Sequence, residues 1–211
     1  MIINENKSNK KVVVVDLDGT LYSVNTFHFF IKYLVRFSIK TFNIILLFNL
    51  IKAMFLRLFG FINHSKMKYI ILKVIKGNEK INYEAFVSSL SNYKNHLKVI
   101  EDTTFDIKIL ATAAPNCYSK IIALNEGFDV CLATNTPEKN YKSDFENVRD
   151  VKKQAVTTYL KTLGSNCVDT VVTDHFDDLP LIKIAQHVIL VNPNKETKNI
   201  LKQNQIFFNI V

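Results

Sequence analysis

Four consecutive valines, Val12 to Val15, run directly into Asp16-Leu17-Asp18-Gly19-Thr20. A β-branched run with no polar alternation reads as a strand buried on both faces, which is the situation of a central strand in a parallel sheet. In open parallel sheets, ligands bind at the carboxyl ends of the strands. A pair of carboxylates leaving such an end is therefore a candidate site before anything else is known of the chain.

The pattern then changes. From about Asn25 to Ile100 it is helical. Basic or imidazole side chains recur every four residues at His28, Lys32, Arg36 and Lys40, with apolar residues between them. Further helical segments are predicted over Phe42 to Phe59, Ser65 to Ile75 with a stop at Gly77-Asn78, and Asn82 to Leu97 with Asn82 as cap. After Asp102 strands and helices alternate. Strands are expected at Ile107–Ala111, Val130–Ala133, Val168–Val172 and His187–Val191. Helices are expected near Asn116–Asn125, Val151–Leu163 and Leu179–Gln186, and Gln205 to Val211 is an edge strand or a short extension. The expected fold class is α/β: a Rossmann-like parallel-sheet core of residues 10–24 and 101–211, interrupted by an all-α insertion of residues 25–100.

Three polar sites close predicted strands: Asp16 to Thr20, Thr112 after Ile109-Leu110-Ala111, and Asp174 after Val171-Val172-Thr173, with Asp177 and Asp178 just beyond. Lys152-Lys153 lies near the start of the helix between the second and third. Each alone has an ordinary explanation, since an Asp or Thr after a strand usually makes a turn or caps a helix, and a Lys pair on a helix is usually solvated. Their joint order is what carries the reading.

That order resembles the haloacid dehalogenase (HAD) superfamily of aspartate-nucleophile phosphohydrolases. Its first motif, DxDGT, is matched by Asp16 to Thr20, its second by Thr112, its third by Lys153 or Lys152, and its fourth by Asp174 and Asp178. Lys153 is preferred for the third, although helical spacing to Val156 and Leu160 suits Lys152. Thr173 stands where the fourth motif usually has Gly, and Asp150 where the third does if Lys153 is the lysine. The insertion point is similar to that of the helical cap in phosphoserine-phosphatase-like members.

The resemblance implies a nucleophile at Asp16 and an acid/base at Asp18. It implies phosphate contacts from Thr112, Lys153, Gly19, Thr20 and Ala113, and a Mg2+ ion held through Asp16, Asp18, Asp174 and Asp178. For Asp18 the implied ligand is the main-chain carbonyl. Asp178 is expected to position the lysine or a metal-bound water. Dehalogenase members lack a carboxylate two residues after the nucleophile, so Asp18 favours phosphoryl transfer. The expected substrate is a small or amphiphilic phosphorylated metabolite. The alternatives are a membrane-surface phosphatase of a lipid- or prenyl-linked phosphate, and a non-catalytic binding protein on the same scaffold.

Charge sharpens the picture. Of the net +8, residues 25–100 carry 12 Lys or Arg against Glu79 and Glu84, which is +10, and the rest of the chain sums to −2. A basic, apolar insertion suggests capture of an anionic amphiphile or contact with an anionic membrane, and no nucleic acid is expected as partner. The longest uncharged stretch in the first third, Thr41 to Ile51, is too short to span a bilayer, which needs about 20 residues. The polar segment Met1 to Lys11 has no apolar signal-peptide core, and Cys117, Cys131 and Cys167 have no metal-ligand or disulfide spacing. A cytoplasmic protein, peripheral at most to the inner face of a membrane, is expected.

Overall fold

The computed structural model describes residues 10–165 and 167–211. Most of the polar N-terminal segment, residues 1–9, lies outside them. Six parallel strands, β1 (Val12–Val15), β2 (Ile107–Pro115), β3 (Val130–Thr134), β4 (Val168–Thr173), β5 (Ala185–Leu190) and β6 (Asn209–Ile210), form one sheet in the order β3-β2-β1-β4-β5-β6. The chain steps outward from β1 to β3, then returns to place β4 on the other side of β1. In open α/β sheets such a reversal is where ligands bind, and here it falls at the carboxyl end of β1, where Asp16 begins.

The valine run is buried along its whole length. Val13 and Val15 pack with Leu110, Val172 and Tyr118, while Val12 and Val14 pack with Ile109, Val171, Val156 and Leu201. Successive side chains leave a strand on opposite faces, so these four residues join two separate apolar layers.

Helices α6 (Asn116–Asn125), α7 (Asp150–Thr162), α8 (Leu179–Ile182) and α9 (Lys195–Gln203) flank the sheet. Between β1 and β2 stand α1 (Thr26–Lys40), α2 (Ile44–Leu58), α3 (His64–Ile75), α4 (Tyr83–Ser88) and α5 (Lys98–Glu101). The apolar interior of this insertion, with Phe27, Phe30, Leu34, Leu50 and Leu72, is continuous with one sheet face through Tyr118. Asparagine starts most of the longer helices. The side chains of Asn25, Asn43, Asn63, Asn82 and Asn194 each accept a backbone N–H of the first turn, which satisfies a donor the helix itself cannot.

Several expected elements differ. The predicted helix from Asn82 to Leu97 ends at Ser88. The Ser88 and Ser89 hydroxyls donate back to the Glu84 and Phe86 carbonyls, a local competitor of helix continuation. The following chain then returns to the first motif, where Asn95 N–H and Asn95 Nδ2 donate to the carbonyls of Leu21 and Thr20 at 2.9 and 2.7 Å. The predicted helix over Leu179–Gln186 stops at Ile182 because Ala185 onward pairs with β4. The helix α9 is an addition. Strand β2 runs past Ala111 to Pro115, with a register irregularity between those two residues. A bulge there bends the strand and re-aims its side chains, and it falls on Thr112 to Ala114.

Candidate active site

Asp16 leaves β1 with its N–H donated to the Val172 carbonyl at 2.9 Å, so the sheet holds its backbone. Its carboxylate accepts from Lys152 Nζ at 2.8 Å, and the same ammonium lies 2.6 Å from Asp178 Oδ1. The side chain of Lys152 is only 4% exposed. Burial alone would pull its pKa down, but Asp16 and Asp178 outweigh that and hold it above the ordinary lysine range.

Here the sequence preference for Lys153 is corrected: Lys152 is the lysine that reaches Asp16. On α7, Lys152 shares the buried face with Val156 and Leu160, four and eight residues on, whereas Lys153 is turned about a third of a revolution away. The Gly-substituting position moves with it. Three residues before Lys152 stands Arg149, at φ 54° and ψ −124°, a conformation that glycine adopts more readily than any side-chain-bearing residue. Arg149 pairs with Asp177 through Nε and Nη2 at 2.9 and 2.8 Å.

Burial also raises the pKa of Asp16, with Lys152 pulling it back and Asp178 and Asp174 pushing it further up. Asp174 is raised chiefly by burial. Its Oδ1 accepts from the Thr20 hydroxyl at 3.3 Å, and it rests against Gly19. A Cβ on Gly19 would meet Asp174 Oδ2 at 2.2 Å, and Gly19 has φ +80°. The glycine of the first motif thus permits both the turn and the close approach of the fourth-motif carboxylate.

Asp18 faces the insertion. Its carboxylate accepts the backbone N–H of Thr26 at 2.8 Å, at the start of α1, where the helix dipole favours negative charge. Desolvation still dominates and raises its pKa. The Thr26 hydroxyl lies 3.0 Å from the buried Tyr118 hydroxyl.

Asp178 faces Lys152 and Thr173. Its two oxygens are engaged by Lys152 and by the Thr173 hydroxyl, the latter at 2.7 Å. Thr173, in the usual Gly position, therefore supplies a buried hydrogen bond to a carboxylate. Thr173→Val, nearly isosteric, is expected to lower stability by about 2 kcal/mol, because hydrogen bonds to charged groups contribute roughly 1.5–3. Urea denaturation at neutral pH measures this.

Thr112 is buried at the same sheet end. Its Oγ1 accepts from Ala114 N–H at 3.0 Å, which leaves its own proton free to donate, and among the described residues it makes no hydrogen bond to the acidic groups. Asn147 pins this segment, donating through Nδ2 to the Thr112 and Leu132 carbonyls at 3.0 and 2.8 Å. The Ala113 carbonyl accepts from Thr134 Oγ1 and from Lys68 Nζ, at 2.7 and 2.8 Å.

Lys68 is the main residue that sequence reasoning missed. It sits on α3, is 3% exposed, forms an ion pair with Glu146, and lies 5.0 Å from the Phe27 ring centroid. The signal was present: Lys68 shares the apolar face with Leu72 and Ile75, four and seven residues on. Lys68→Met would leave Glu146 nearly buried and unpaired, with Thr134 still donating to the Ala113 carbonyl. A loss of about 3 kcal/mol is expected, within the range for breaking buried pairs, and thermal and urea unfolding of the variant would read it.

Burial pushes the thiols of Cys117 and Cys131 up to about 12.

No protein-family model and no curated protein matches the sequence. Solved structures do match. A protein of unknown function from Bordetella pertussis Tohama I superposes with a TM-score of 0.75 at 16% identity, over 96% of this chain and 99% of that one. A phosphoserine phosphatase carrying a phospho-aspartyl intermediate analogue gives 0.60 at 15% identity, over 96% and 93%. A phosphoserine phosphohydrolase-like protein from Francisella tularensis subsp. tularensis SCHU S4 gives 0.55 at 16%, over 95% and 94%. At these identities the likeness is one of fold alone, which this chain shares with phosphoserine phosphatases.

Proposed function

We propose that this protein is a phosphomonoester hydrolase that acts through an aspartyl-phosphate at Asp16 on a small or amphiphilic phosphorylated metabolite. One observation carries the reading: a buried carboxylate at a strand end is held by a buried ammonium, with a second, desolvated carboxylate two residues on.

In this reading an Asp16 oxygen attacks phosphorus as the bond to the leaving oxygen breaks. Asp18, its pKa raised by burial, carries the proton that the departing oxygen takes. In the second half it removes a proton from water, which attacks the same phosphorus and returns Asp16 as a carboxylate with release of inorganic phosphate. Lys152 offsets the charge on the equatorial oxygens. The Thr112 hydroxyl donates to one of them. Gly19, Thr20 and the Ala113 backbone shape the phosphate pocket.

A hard divalent cation fits the donor set. Asp16 and Asp178 share one buried ammonium, Asp174 adds a third negative charge near them, and burial raises Asp16 and Asp174. Among the described residues, no three His, Cys, Asp or Glu side chains gather in ligand geometry. The fitting set is therefore Asp16, Asp174 and the Asp18 carbonyl, completed by water and phosphate, which is the kind of site Mg2+ occupies. Bound there, Mg2+ would offset the charge between the carboxylate and a phosphate dianion.

The test is release of phosphate from an aryl phosphate, then from phosphosugars, phosphoamino acids, nucleotides and lipid phosphates, with Mg2+ or with a chelator. The reading expects Mg2+-dependent release from at least one class. No release from any of them, or release indifferent to chelation, counts against it.

A further inference from the structure

The outer face of α2 is apolar and has no partner among the described residues. Ile44, Phe48, Ile51, Phe55 and Leu58 follow one another at i, i+4, i+7, i+11 and i+14, which aligns them as one stripe. All five are more than half exposed, Phe48 at 65% and Leu58 at 81%. The opposite face, with Leu46, Leu50 and Ala53, is the one that packs on the protein. The stripe widens through Ile45 and continues at both ends through Ile39, Phe42, Phe59 and Phe61, all exposed. Phe42, at the α1–α2 turn, is 88% exposed and holds φ 53°, an uncommon conformation for a bulky residue. Isolated exposed apolar residues need no explanation, but a contiguous patch of this kind marks an interaction surface.

Charge identifies the partner. No acidic residue occurs between Asp18 and Glu79, while nine Lys or Arg do. Lys32, Arg36 and Lys40 are exposed on α1, and Lys52 and Arg57 on α2. A second copy meeting this face would set like charges against each other around its rim. An anionic lipid surface offers both components, with acyl chains for the stripe and headgroups for the cations.

The geometry also limits the mode of contact. Fifteen residues of α2 rise about 22 Å, short of the roughly 30 Å hydrocarbon core, and no helix among the described residues is long and apolar enough to cross a membrane.

We propose that the α2 face docks the protein flat on an anionic bilayer. The inference is independent of the catalytic reading, since it uses neither Asp16 nor any residue placed at that site. Its consequence for function would be positional: α1, which packs against α2, begins at Thr26 on the Asp18 carboxylate.

Vesicle flotation of the full chain tests it, using phosphatidylcholine alone and phosphatidylcholine with roughly a third phosphatidylglycerol. Flotation with the anionic vesicles at low salt, weakened by high salt and poor with neutral vesicles, is the expected result. Ile45→Ser/Phe48→Ser/Phe55→Ser should cut partitioning by about 100-fold or more with helical content and melting unchanged, since these side chains are exposed. Lys40→Gln/Lys52→Gln, which spares the apolar face entirely, should cut it about fivefold per charge at low salt. No flotation with either vesicle overturns the proposal, and so does equal flotation with both. A lipid-free dimer that the serine variant dissociates, without flotation of the parent, would assign the face to a second copy instead.

Discussion

Under the proposed mechanism, Asp16→Asn is expected to reduce phosphomonoester turnover by about 10^4-fold or more, because an amide cannot form the acyl-phosphate on which both half-reactions would depend. The same substitution should not unfold the protein. The Asn side-chain oxygen can still accept from Lys152, and one of the two carboxylates that share this buried ammonium loses its charge, which also relieves its repulsion with Asp174. Melting temperature should be unchanged or higher. Steady-state kcat together with thermal unfolding separates this outcome from simple misfolding. A variant that is inactive and also unstable would place Asp16 in the structure rather than in the chemistry.

Lys152→Met is expected to act on both properties. It leaves Asp16 and Asp178 facing each other in a buried site without their shared cation, a destabilisation of about 3–5 kcal/mol where Mg2+ is withheld. It also removes the charge proposed to offset the transferring phosphoryl group, which should lower kcat by about 10^3-fold. Lys153→Met is the control. Its side chain is only half-buried and has no ion pair among the described residues, so stability should stay within about 0.5 kcal/mol and kcat should hardly change. Urea unfolding and kinetics of the two variants, side by side, make the comparison. The reverse pattern would return the third-motif role to Lys153.

That pair of lysines shows what could be read from the amino acids. Helical periodicity pointed to Lys152 against the preference for Lys153, and periodicity agrees with the structure because Val156 and Leu160 fix which face of α7 is buried. Arg149, three residues before Lys152, holds a positive φ that follows from no propensity of arginine. The valine run, the strand ends and the order of the acidic positions were legible because buried parallel strands leave a continuous apolar signature.

Lys68 was legible only in retrospect. A lysine among apolar residues reads as a snorkelling side chain unless its partners are known, and Glu146 lies 78 residues away. The α2 stripe was hidden for the opposite reason. Nearly every residue of Ile44–Leu58 is apolar, so the sequence contains no contrast from which to tell the packed face from the open one. The overlong helices at Asn82–Leu97 and Leu179–Gln186 failed where distant partners, the first-motif loop and β4, claimed the backbone that local propensity had assigned to a helix.

The central claim is the covalent phosphate on Asp16. Acid quenching during turnover, followed by borohydride reduction and peptide mass spectrometry, converts an aspartyl-phosphate to homoserine. Homoserine at position 16 in the wild type, and none there after chelation of Mg2+, is the predicted result. Turnover that proceeds with Asp16 unmodified, or with the phosphate trapped on another side chain, would contradict the account.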